Sequence, residues 1–208
     1  MPVFGVTGGI ATGKSSFVRL ILKQRPAHLF DADSVVHRLL ARDAELHREL
    51  RAAFGAGIFD PDGQPSRDKL RQIAFDDPDS RRRLEELVHP RVALESRRQI
   101  ELARAHGSWL YADIPLLYET NAAADFDEVI VVACSPETQN TRLRQERGLA
   151  PGLIARMIGA QLDLGEKMAR ADHVIWNDST PAMLEEQARL LLALHLQRYG
   201  RTDHTNDC

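Results

Sequence analysis

The 208-residue chain has little of several things that would each mark a class of protein. It holds two cysteines, Cys134 inside an apolar run and Cys208 at the last position, and that spacing suggests neither a disulfide framework nor a cysteine metal cluster. A reducing, cytoplasmic setting is the corresponding expectation. No apolar run approaches the ~20 residues that a membrane-spanning helix needs. The first residues lead directly into a β-prone segment and leave no room for a cleavable leader, so a soluble, unprocessed chain is expected. Neither sign of charge dominates. The 27 Lys and Arg against 30 Asp and Glu leave a net charge of −3, which speaks against a general nucleic-acid binder. There is no internal repeat, no low-complexity stretch, and no Asn-Lys-x-Asp segment of the kind that reads guanine. What remains is an ordinary globular composition, 43% hydrophobic and 27% charged, long enough for one well-buried core and a smaller appended unit.

One stretch is not ordinary. Gly8-Gly9-Ile10-Ala11-Thr12-Gly13-Lys14-Ser15 fits the phosphate-binding pattern G-x-x-x-x-G-K-[ST]. A short glycine-rich turn between strand and helix points successive backbone N–H groups into one concave anion site. Lys14 would reach the β- and γ-phosphates, Ser15 would hold the Mg²⁺ that bridges them, and the following helix adds the positive end of its dipole. The context agrees: Val3-Phe4-Gly5-Val6 is β-prone, and Ser16 to Lys23 has the spacing of an amphipathic helix.

Further along, Ala27 to Phe30 offers a second short strand that ends at Asp31-Ala32-Asp33. In open parallel sheets ligands bind at the carboxyl ends of strands, so these carboxylates would sit at the mouth of a site. Each is either a general base or metal-shell ligand, or the N-cap of the helix that begins near Ser34. From Ser34 to His106 apolar residues recur at three and four, which predicts a helical insertion, with a loop at Gly55 to Pro65 and Ser66 as a cap. Arg81-Arg82-Arg83 reads as a solvated helix face. Pro90 is expected to end a helix and leave His89 at a junction.

Trp109 to Asp113 reads as a buried strand ending in a carboxylate, the pattern of a strand that helps hold Mg²⁺. Glu128 to Cys134 is the clearest strand, and Ser135-Pro136-Glu137 caps the next helix. That helix carries Arg142, Arg144 and Arg147; a second, with Arg156, Gln161 and Lys167, follows a glycine and proline break. The pair reads equally as a lid over triphosphate or as exposed arginines. His173 to Trp176 is a last strand, and Thr180-Pro181 starts a helix to Tyr199 that Gly200 can stop, leaving a frayed tail from Arg201. Strand and helix alternate, which favours an α/β fold with a doubly wound, five-stranded parallel sheet of the P-loop type, carrying a helical insertion and a lid.

Taken together, the phosphate loop with Val6 and Thr7 before it, Asp31-Ala32-Asp33, His89-Pro90, Pro115-Leu116-Leu117-Tyr118-Glu119, Ser135 to Gln139, Arg142, Gln161, Lys167 and Asn177 resemble the dephospho-coenzyme A kinase family. They run in the family's order along nearly the whole chain. The resemblance implies a nucleotide core at 1–33, 107–142 and 168–208, a helical substrate domain at 34–106 and a lid at 143–167. It implies ATP held by Gly8 through Ser16 (Gly8, Gly9, Ile10, Ala11, Thr12, Gly13, Lys14, Ser15, Ser16) and by Asn177. Mg²⁺ would lie on Ser15 and Asp113, and Lys14 and Arg142 on the phosphates. Asp33 would accept the proton of the ribose 3′-hydroxyl of dephospho-coenzyme A, with Thr7, His89 and Leu116 on the substrate side. Two positions depart from the family. Ala11-Thr12 replaces Gly-Ser, which would strain Ala11 if its backbone needs φ > 0, and Asn177-Asp178-Ser179 replaces a turn with glycine.

Overall fold

Five runs become strands, and they pair in the order β2-β3-β1-β4-β5. The computed structural model describes residues 1–200, the side chain of Asp76 apart; the tail expected from Arg201, with Cys208, lies outside the described residues. In chain order the elements are β1 (Val3–Gly8), α1 (Lys14–Gln24), β2 (His28–Asp31), α2 (Ala32–Arg42), α3 (Ala44–Phe54), α4 (Arg67–Asp76) and α5 (Pro78–Ala105). Then come β3 (Leu110–Asp113), β4 (Glu128–Ala133), α6 (Pro136–Thr141), α7 (Pro151–Gly159), α8 (Leu164–Ala169), β5 (His173–Trp176) and α9 (Pro181–Tyr199). β1 lies parallel between β3 and β4, with Val6 opposite Asp113 on one side and Ile130 on the other. The chain leaves β1 toward β2 and β3 and returns past it to β4. The carboxyl end of β1 is therefore at the switch point of an open parallel sheet.

By contact, the chain divides into two compact units: Met1–Phe30 with everything from Gln99 onward, and Asp31–Arg98. The sheet unit is built around Phe4, Val6, Tyr111, Ile130 and Val132, with Phe17, Val18 and Ile21 from α1 and Leu184, Ala188 and Leu191 from α9. Those α9 residues fall at i, i+4 and i+7, one helical stripe. β1 and β4 are buried along their whole length, which is why they read as nearly unbroken apolar runs. The helical unit has its own core of Leu40, Leu46, Leu50, Ile58, Phe59, Leu70 and Val88. Its caps follow local chemistry. Asp31 accepts from the Ser34 N–H and Asp43 from Glu45 and Leu46, whereas Ser66 stands at the start of α4 without a side-chain bond to it.

Three expectations need correction. Pro90 does not end a helix: α5 runs unbroken from Pro78 to Ala105, although the ring removes the N–H that Glu86 would have received. The cost of about 3 kcal/mol is offset because the helix is anchored on both sides of the proline, by Val88 in the helical core and by Val92 packed against that core. Second, α6 is only six residues long, and Arg142–Glu146 continue it as a π-helical turn. Such turns recur at functional sites. Third, the helix expected to carry Arg156, Gln161 and Lys167 is two helices, because Asp163 caps a new start by accepting from the Glu166 N–H.

At the base of the sheet, opposite the phosphate loop, Glu128 and His195 are both buried. Burial holds His195 down at about 4, so its imidazole is neutral.

Candidate active site

The loop after β1 is shaped by backbone that side chains would obstruct. Gly8 has φ +151°, and a Cβ there would meet the Val132 carbonyl oxygen at 2.1 Å; Gly13 has φ +98°, and a Cβ would meet Asn177 Nδ2 at 2.2 Å. Ala11 does take the left-handed conformation, at φ +57°. That costs roughly 1–2 kcal/mol for a residue with a Cβ. Thr12 is fully buried and donates from Oγ1 to the Gly9 carbonyl at 2.9 Å, and Lys14 Nζ reaches back to the same carbonyl at 3.2 Å. The ammonium thus lies over the loop's own backbone.

Four side chains from distant positions clamp this loop. Gln161 Oε1 accepts from the Ile10 N–H at 2.9 Å, while Gln139 Nε2 donates to the Ile10 carbonyl at 2.7 Å. Arg142, aimed by the π-turn, donates from Nη1 to the carbonyls of Ala11 (3.2 Å) and Thr12 (3.3 Å) and from Nη2 to that of Asn177 (2.9 Å). The buried Asn177 amide donates to the Thr12 carbonyl at 2.8 Å. A positive guanidinium is therefore fixed beside the loop, where it would add to the field on a polyphosphate. Ser16 is exposed on the first turn of α1.

Ser15 and Asp113 meet directly. The Ser15 hydroxyl donates to Asp113 Oδ2 at 2.7 Å, and Asp113 is almost wholly buried at the end of β3. A hydroxyl and a carboxylate are hard oxygen donors of the kind that hold Mg²⁺ beside a phosphate. The residues present fit that ion. Next to Asp113, the Pro115 carbonyl accepts from Thr7 Oγ1 (3.1 Å) and from Lys167 Nζ (3.0 Å). Lys167 is fully buried and pairs with Glu119 at 2.8 Å, and the same carboxylate oxygen accepts from the Leu162 N–H. Thr7, Lys167 and Glu119 together fix the Pro115-Leu116 turn, with Leu116 half-buried on it.

The helical unit carries the other expected residues. Asp31 is the cap of α2, accepting from the Ser34 N–H (3.1 Å) and hydroxyl (2.8 Å); Asp33, in the first turn, is exposed. His89 is half-buried in mid-α5. The arginine run behaves as a helix face: Arg81 pairs with Glu85, Arg82 with Asp79, and Arg83 donates to the Ala53 carbonyl. Sequence reasoning gave no role to Gln139, Gln161, Glu119 or Lys167. They stood there only as positions that carry the family resemblance, and their long-range partners in the structure supply the role.

The chain as a whole is similar to known proteins along most of its length. The family model described as dephospho-CoA kinase matches residues 2–182. A dephospho-CoA kinase of Symbiobacterium thermophilum is 41% identical over 190 residues, covering 89% of this chain and 79% of the relative. One from Anaeromyxobacter dehalogenans is 40% identical, covering 93% and 92%. The crystal structure of TT1252 from Thermus thermophilus superposes with a TM-score of 0.75 at 28% identity, covering 93% of this chain and 97% of that one. With the phosphate loop and its Ser15–Asp113 pair in place and these matches spanning most of the sequence, the chain belongs to the dephospho-CoA kinase family.

Proposed function

We propose that this chain transfers the γ-phosphate of Mg·ATP to the ribose 3′-hydroxyl of dephospho-CoA, giving coenzyme A and ADP, in the cytoplasm. The observation that carries the phosphoryl-transfer chemistry is the Ser15 hydroxyl held 2.7 Å from buried Asp113 at the foot of a phosphate loop. The family match supports the acceptor. Phosphoryl transfer through a loose transition state needs positioning and charge neutralisation more than covalent help. The loop amides from Gly8 to Ser16 and Lys14 cradle the phosphates. Arg142 adds a fixed positive charge and holds the loop to Asn177. Ser15 and Asp113 would hold Mg²⁺, which supplies charge neutralisation between the phosphates when bound.

Asp33 accepts the proton of the attacking hydroxyl, and His89 and Leu116 contact dephospho-CoA. Asp33 is favoured over Asp31 because the Asp31 carboxylate is committed to capping, whereas Asp33 is exposed. Thr7 acts through Pro115 by orienting Leu116.

The test is ADP release from Mg·ATP with dephospho-CoA, beside AMP and shikimate as competing acceptors. Turnover confined to dephospho-CoA is expected. Asp33→Asn should bind ATP as the parent does by calorimetry yet lose most of the rate, roughly 10²-fold or more. Loss of ATP binding in that variant would make its role structural, and equal turnover on AMP would remove the proposed acceptor.

A further inference from the structure

Among the described residues, one group of metal-ligating side chains converges: Glu128, His173 and His195, whose candidate ligand atoms all lie within 4.8 Å of one another. It sits at the start of β4, about 16 Å along that strand from its phosphate-loop end at a rise of ~3.3 Å per residue. The kinase chemistry does not use it.

Glu128 presents its two oxygens differently. Oε1 takes Arg198 and accepts from the Tyr199 hydroxyl at 2.9 Å. Oε2 faces two imidazoles, His173 Nε2 at 2.9 Å and His195 Nε2 at 3.1 Å. The second contact is not aligned as a hydrogen bond, although His195 is only 1% exposed. Its ring nitrogen therefore has no aligned hydrogen-bond partner, while the ligand atoms of all three residues stay within 4.8 Å of one another. Ligand atoms on one tetrahedral zinc lie about 3.3 Å apart, from Zn–N and Zn–O bonds near 2.0–2.1 Å, and the rings of two zinc-bound imidazoles have centroids roughly 5 Å apart. Here the His173 and His195 centroids are 5.4 Å apart.

The ligands are also held in place in advance. His195 stacks on Phe4 at 4.1 Å and 4°, and its Nδ1 lies 3.2 Å from the Tyr111 hydroxyl, which can accept the Nδ1 proton when Nε2 is a ligand. Glu128 is oriented by Arg198 and Tyr199. His173 is partly exposed on the edge strand, which gives an ion a way in and leaves a fourth position for water.

We infer that Glu128, His173 and His195 form a binding site for a divalent transition metal of the zinc type, which pins β4, β5 and the end of α9 together. Two imidazoles and one carboxylate suit zinc and its neighbours rather than Mg²⁺. The Arg198 charge beside Glu128 weakens cation binding.

The experiment uses the full chain without nucleotide, stripped with chelator and titrated with Zn²⁺ alone, and with Co²⁺ as a visible-absorption probe. One saturable zinc per chain, a raised Tm and the intense bands of tetrahedral Co²⁺ are expected. His173→Ala, changed at the exposed ligand so that the fold is spared, should weaken binding 100-fold or more. His173→Cys should restore it with a new sulfur-to-cobalt charge-transfer band. Asp113→Asn, which alters the other cation site, should bind zinc like the parent. No saturable uptake, or uptake that His173→Ala leaves unchanged, overturns the inference and returns the cluster to a hydrogen-bonded network.

Discussion

Gly13→Ala tests the loop clamp most directly. The backbone at Gly13 has φ +98°, and an added Cβ would lie 2.2 Å from Asn177 Nδ2. Two costs follow. The left-handed conformation costs roughly 1–2 kcal/mol once a Cβ is present. The Asn177 amide must also move, which breaks its buried 2.8 Å bond to the Thr12 carbonyl. Leaving such a group unsatisfied costs about 1–3 kcal/mol. Gly13→Ala should therefore destabilise by about 2–5 kcal/mol, and Asn177→Ala alone, which loses only the bond because Arg142 still donates to the Thr12 carbonyl, by about 0.5–1.5 kcal/mol. In the double variant the bond can be lost only once and the Cβ has room. Its cost should fall short of the sum by about 1–3 kcal/mol, well beyond the ~0.5 kcal/mol expected of independent sites. Urea denaturation of the four proteins measures this. Trp109 and Trp176 are the chain's two tryptophans and both lie in the sheet unit, so their fluorescence follows the unit that contains the loop. Additive costs would show that Gly13 is not pressed against Asn177 and would remove the steric reason for glycine at that position.

Ala11→Gly should be neutral to stabilising by about 1 kcal/mol, because relief at φ +57° offsets the extra entropy of glycine in the unfolded chain; a thermal melt showing clear destabilisation would contradict the strained backbone. Leu50→Ala removes a fully buried side chain from the helical core and should cost about 2–5 kcal/mol. It should shift the circular-dichroism transition below that of tryptophan fluorescence, and coincident transitions would mean the two units unfold as one. Lys167→Met leaves Glu119 without its 2.8 Å partner and should destabilise by about 3–5 kcal/mol in denaturant. Adding Glu119→Gln should recover part of that loss; no recovery would show that Lys167 acts by packing alone.

What the sequence disclosed and what it hid divide along the range of the forces involved. His173–Trp176 and the phosphate loop were legible to the residue or nearly so, since each depends on neighbours in the chain: an apolar β-prone run, or glycines at a set spacing before Lys14 and Ser15. Asp113 was legible because a strand that ends in a carboxylate is itself a local pattern. Pro90 misled because a local rule, that proline ends helices, met a helix whose packing on both sides outweighs one lost hydrogen bond. The π-turn at Arg142 has no local signal at all. Nor do the clamps, since Gln139, Gln161 and Asn177 reach the loop from 129 to 165 positions away.

A more general signal was nonetheless present in the composition of the buried runs. Glu128 heads a strand that is otherwise apolar and buried on both faces, and a carboxylate cannot be buried there without donors brought to it. Its donors come from His173 on β5 and from the last turn of α9, whose only constraint in the sequence is that an arginine and a tyrosine stand side by side. Lys167 poses the same demand, and Glu119 answers it from a turn 48 positions earlier. A charged residue inside a run that periodicity assigns to the core thus implies a partner of stated chemistry even where the partner's address is illegible. Applied to this chain, that rule singles out Glu128, and with it the base of the sheet.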